Sequence, residues 1–140
     1  MLAKKLFVLT TLVAISAMMI IPVHACYYSP GWWKKHQWPV AEITLCGMTL
    51  TKQEGQALLK TPIKGDLTIQ LAHQLIAAKL NWESGAHMEY LKPEGNIIDL
   101  AEAFLCSVGG VPPNPPLSTE DHETCSDHIE LLDKANNTPW

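Results

Sequence analysis

"LTIQLAHQLIAAKLNW", residues 67 to 82, is the stretch whose reading decides the fold. Leu67, Leu71, Leu75 and Ala78 share one helical stripe, and Ile69, Ala72, Ile76 and Leu80 share an adjacent one, so more than half the circumference is apolar. A helix apolar over so wide an arc must be covered from several sides. It is therefore predicted to be the central, most buried helix, with Asp66 placed to cap its start.

Upstream, Thr51 opens "TKQE", a Thr-x-x-Glu capping box that starts a short helix running to about Lys60, before Thr61-Pro62 stops it. Before that, "ITLCGMTL" (43 to 50) alternates apolar and polar residues around Cys46-Gly47 and reads as a two-stranded hairpin. Downstream, "ESGAHMEYLKPEG" (83 to 95) reads as one or two helical turns around His87 to Leu91. Asn96 caps "IIDLAEAFLCSV", which ends at Gly109-Gly110. "VPPNPP" (111 to 116) reads as a stiff extended linker. Ser118 begins a last helix with an acidic first turn, whose inner face is expected to be His122, Cys125, Ile129 and Leu132. The fold class that follows is mainly α: a compact bundle of about four to five helices with a small β-hairpin, cross-linked by disulfides.

The first 25 residues have the form of an export signal: Lys4 and Lys5, an apolar run from Leu6 to Ile21, then Pro22 and small residues ending at Ala25. Residues 26 to 140 then form a single domain, secreted or periplasmic, with no transmembrane segment in the mature chain. The alternative is a lipid anchor through Cys26, which His24 fits poorly because that signal prefers a small or aliphatic residue there. Cys26, Cys46, Cys106 and Cys125 make an even set for two disulfides in an oxidising compartment. The shorter loops favour Cys26 with Cys46 and Cys106 with Cys125, and nested pairing stays open.

The chain carries a formal charge of −4, and all 10 of its basic residues are lysine. Nucleic-acid recognition calls for a basic face and draws on the bidentate arginine fork, so that class is excluded. Catalytic patterns are equally missing: there is no Gly-x-Ser-x-Gly elbow, no phosphate-cradling glycine loop and no Cys-x-x-Cys pair. Nothing in the residues argues for an enzyme.

Gly31 to Pro39, "TLCGMTLTK" (44 to 52), "LLKTPIKGD" (58 to 66) and above all "LAHQLIAAKLN" (71 to 81) carry a resemblance. The chain resembles a largely uncharacterised family of secreted bacterial domains with a Gly-Tyr-Trp-Lys-Asn-His-Pro-like opening and an Ala-His-Gln-Leu-Ile-Ala-Ala-Lys-Leu-Asn helix. It departs from that pattern where Trp33 follows Trp32 and where Gln37 replaces the proline after His36. The resemblance implies secretion and a compact helical domain, and it implies no activity.

Two groups of residues are candidates for function. The first is "SPGWWKKHQWPV" (29 to 40), where Trp33, Lys34, Lys35 and Trp38 form a candidate binding surface for a cell-surface protein or glycan. Read as extended chain, it sends neighbouring residues to opposite sides. Trp32 and Trp38 are then expected against the central helix near Leu71 and Leu75, with Trp33 outside. The second is His36 and His73 with Asp66, which could hold a divalent transition metal and would make the protein a small metal-binding protein or hydrolase. The competing reading makes His73 a buried residue hydrogen-bonded to the opening segment, with no cofactor. In "DHETCSDH" (121 to 128), His122, Cys125 and His128 fan around a helix instead of converging, so no metal cluster is expected there. The reading taken forward is an exported helical module that binds or has a structural role at the cell surface or outside the cell.

Overall fold

In a computed structural model that describes residues 27–138, five helices, α1 to α5, surround one apolar core. The central helix α3 spans Leu67–Glu83, and Asp66 caps it by accepting hydrogen bonds from the Thr68 and Ile69 amides. Every residue from Leu71 to Ala78 is buried, as the all-round apolar pattern requires. Around α3 pack α1 (Pro30–Trp33), α2 (Lys52–Lys60), α4 (Ile97–Ser107) and α5 (Thr119–Asn136). The expected caps are in place. Thr51 and Glu54 close a reciprocal capping box on α2, Asn96 caps α4, and Ser118 accepts from the Asp121 amide at the start of α5.

Strands β1 (Glu42–Leu45) and β2 (Met48–Thr51) form the antiparallel hairpin, with Ile43 opposite Leu50. Both residues of its turn, Cys46 and Gly47, have positive φ (50° and 76°), which suits the twist of a two-residue hairpin. Glycine adopts that conformation freely; cysteine does not. Cys46 is held there from two directions, by its disulfide to Cys106 at the end of α4 and by its N–H, which donates to Glu102 Oε2 at 2.9 Å.

This pairing corrects the expected connectivity. Cys46 joins Cys106, 60 residues away, because the hairpin turn folds back onto α4. Cys125 is left as a buried free thiol, its Sγ 3.6 Å from the Leu67 carbonyl. Cys26 and the export signal lie outside the described residues.

Two further expectations are revised. Met88–Tyr90 forms a single 3-10 turn, followed by a second small hairpin of β3 (Leu91–Lys92) and β4 (Gly95–Asn96). On α5 the inner face is Cys125, Ile129, Leu132, Ala135 and Asn136, while His122 is exposed. The buried face starts at Cys125, which lies against the Leu67 carbonyl, while His122 borders an open hollow beside Asp66 and Leu67.

A polar network runs through the core. Asn81, fully buried on α3, accepts at Oδ1 from the Tyr28 amide and from Trp33 Nε1, both at 2.9 Å. Its Nδ2 donates to the Tyr28 carbonyl at 2.9 Å and faces the Tyr90 hydroxyl and Asn136 Oδ1. Tyr90 donates in turn to Asn136, whose amide donates to the Gln74 side chain and carbonyl. Among the described residues no buried side-chain nitrogen or oxygen lacks a partner. A satisfied network of this kind fixes register, since any shift leaves buried donors or acceptors unpaired at about 1–3 kcal/mol each.

Candidate functional site

The opening segment is not extended. Ser29 accepts from the Trp32 amide and Pro30 occupies the first helical position, so Pro30–Trp33 makes one helical turn. On a helix, successive side chains differ by about 100° instead of pointing to opposite sides. The expected roles of the two tryptophans are consequently exchanged. Trp33 is buried, 2% exposed, with its indole N–H on Asn81, and Trp32 is the half-buried one. Trp32 offers no open ring face. Tyr28 stacks on it with centroids 3.7 Å apart, and His36 stacks at 3.8 Å. Trp38 is buried as expected, though much of its packing is against α2: a Cβ added at Gly55 would lie 2.1 Å from the Trp38 ring. Of the candidate binding surface, Lys34 is left half-buried and Lys35 exposed.

His36, His73 and Asp66 each have a separate hydrogen-bond partner. His36 Nδ1 donates to the Trp32 carbonyl at 2.7 Å, His73 Nε2 donates to the Leu58 carbonyl at 2.7 Å, and Asp66 serves as a helix cap. Among the described residues no group of three or more His, Cys, Asp or Glu side chains is placed to hold a metal ion. His73 is buried, as the structural reading holds, but its partner is α2 and not the opening segment. Burial lowers its pKa from the ordinary value, because charging the ring there costs solvation, and Lys34 lowers it further.

Several hollows border α3, and two of them bear on function. At its C-terminal end lies an open cleft of about 490 Å³ lined by Trp82, Glu42, Glu83, Asp99, Asn96 and Lys79. Trp82 is half-buried, with the His87 ring against it at a centroid distance of 3.9 Å. Strand β1 supplies the opposite wall and is tied to the rest of the fold at several points. Lys79 pairs with Glu102 at 2.7 Å and also donates to the Thr44 carbonyl, while Glu102 holds Cys46. An indole beside carboxylates and an amide is a combination that can stack on a sugar ring and orient its hydroxyls.

Toward the other end of α3 is a smaller hollow of about 380 Å³, whose lining includes Lys34, Lys60, Gln70 and His73 and no carboxylate among the described residues. Sequence reasoning singled out Lys34 and His73 but passed over the whole Trp82 cleft. Its available signal was the polar "NWE" ending of an otherwise apolar helix, a tryptophan placed where the helix leaves the core. No helix among the described residues is long and apolar enough to cross a membrane. In comparisons with known proteins the chain matches no family model, no curated protein and no solved structure.

Proposed function

We propose that the protein is an exported, disulfide-braced binding module that takes a glycan in the Trp82 cleft. The observation that carries this reading is the meeting of a half-buried indole with Glu42, Glu83, Asp99 and Asn96 around one open hollow. Carbohydrate rings present apolar C–H faces for an aromatic side chain and hydroxyls for carboxylates and amides, so both halves of that chemistry are available. Export is supported by the leader-like residues 1–25 and by the Cys46–Cys106 bridge, since disulfides persist in oxidising compartments. The opening segment contributes less than its composition promises: Trp33 and Trp38 belong to the core and both faces of Trp32 are covered.

The test is a glycan array with the mature protein, followed by calorimetry on any ligand found. Trp82→Ala and the exposed-site change Asp99→Ala should each weaken binding at least tenfold, while Lys35→Ala leaves it unchanged. An array without ligands, or binding that survives both changes in folded protein, would overturn the reading.

A further inference from the structure

The second hollow has a chemistry of its own. The Leu58 carbonyl can only accept, so the proton of the His73 ring sits on Nε2, 2.7 Å from that oxygen. Nδ1 is therefore a lone-pair acceptor, and it makes no hydrogen bond within the described residues. Among the described residues no buried side-chain nitrogen lacks a partner, so Nδ1 keeps contact with open space, although His73 as a whole is only 7% exposed. The hollow is the open space that this side chain lines.

The same hollow is lined by two lysines that have no counter-ion among the described residues. Lys34 and Lys60 both line the hollow and neither forms an ion pair with a described residue, whereas Lys79, Lys92 and Lys134 each pair with a glutamate. Gln70 also lines it with its amide uncommitted. In a chain of net charge −4, a hollow that gathers two unpaired lysines and no carboxylate is electropositive against the prevailing sign. A ligand that answers every group must be an anion that also carries a hydroxyl proton: the anion for Lys34 and Lys60, the proton for Nδ1.

We propose that the hollow between α1, α2 and α3 binds a phosphate group in its hydrogen-phosphate form, with His73 Nδ1 accepting the phosphate hydroxyl and Lys34 and Lys60 holding the charged oxygens. A phosphate group has this combination and sulfate, fully deprotonated near neutral pH, does not. The hydroxyl would give His73 the hydrogen bond it lacks. Sulfate would set an oxygen lone pair against the lone pair of Nδ1, a repulsive contact that discriminates as strongly as an attractive one.

The experiment titrates the folded protein with inorganic phosphate, glycerol 3-phosphate and sulfate near pH 6.5, where a monoester of second pKa about 6 still retains part of its proton. Binding is followed by the nitrogen resonances of the His73 ring at constant ionic strength. Phosphate or its monoester should bind at least about tenfold more tightly than sulfate, a difference of about 1.4 kcal/mol, and should move the Nδ1 resonance. The tighter of the two phosphate probes identifies the source as free phosphate or a monoester. Lys34→Gln with Lys60→Gln should abolish binding without unfolding the protein, and His73→Gln should erase the preference over sulfate. Equal binding of sulfate and phosphate, or no binding of any probe, overturns the assignment.

Discussion

The Trp82 cleft and the His73 hollow differ in sign and also in how their outer walls are fastened. The Trp82 cleft is acidic and aromatic, and its far wall, β1, is secured by the Cys46–Cys106 bridge and the Lys79–Glu102 pair. The His73 hollow is basic, and its wall, α1, is secured by the buried amide of Asn81, which grips Tyr28 and Trp33. One wall thus rests on a covalent bond that reductant can cut, the other on hydrogen bonds that depend on water being kept out. The difference teaches that each hollow can be loosened without touching the other.

The largest expected effect comes from Asn81→Ala. It removes the acceptor of the Trp33 indole N–H, both bonds that Asn81 makes to the Tyr28 backbone and one of the two bonds to Asn136 Oδ1, so a loss of about 4 kcal/mol or more is expected from several broken buried bonds. Chemical denaturation would measure it. Hydrogen exchange should show α1 opening while the Cys46 and Glu102 contacts stay protected, and uniform loosening would break the contrast.

Removing the bridge by Cys46→Ser with Cys106→Ser should cost about 2–4 kcal/mol, the typical range for loss of a disulfide, here one that spans 60 residues. Here exchange should rise in β1 and β2 and not at Trp33. In the same protein placed on a Cys26→Ser background, Cys125 should stay unreactive to thiol reagents until unfolding, since burial pushes its pKa up to about 11.

Gly55→Ala sharpens the picture of α2, whose C-terminal end walls the basic hollow. Alanine would normally favour a helix by about 1 kcal/mol over glycine. Here its Cβ meets the Trp38 ring, so a net loss of about 1–3 kcal/mol is expected in thermal melts. A gain in stability would show that Trp38 moves aside at no cost.

The smallest effect is a pH slope. His73 has a lowered pKa in the folded protein, so the unfolded chain takes up the proton first as pH falls below the ordinary value near 6.5. Stability contributed by the neutral ring is therefore present above pH 6.5 and lost as pH falls toward the depressed folded value. His128, lowered by its own burial, acts in the same direction. Melting curves from pH 7.5 to 5.0 should fall with pH, less steeply in His73→Gln. An unchanged slope would mean that His73 is not held neutral by its hollow.

Local signals were legible in the residues wherever a short-range rule decides the outcome. The caps at Asp66, Thr51, Asn96 and Ser118 need only a side-chain oxygen within three positions of a free amide, and the Cys46-Gly47 turn needs only adjacent strands. The apolar run of α3 likewise marks a surrounded helix by composition alone. The roles of Trp32 and Trp33 were misassigned because a single helical turn, capped by Ser29, replaces the extended chain that the alternation argument assumed.

By itself, then, the sequence determined α2 to α5, their caps, the first hairpin and the burial of the central element, because hydrogen-bonding reach and apolar period are properties of neighbours along the chain. Only the tertiary structure decided that Cys46 pairs with Cys106, that Asn81 links Tyr28, Trp33, Tyr90 and Asn136, and that Trp82 and His73 face hollows of opposite charge. These partners lie on different elements. Their meeting depends on how α1, α4 and α5 close around α3, which no spacing within one segment encodes.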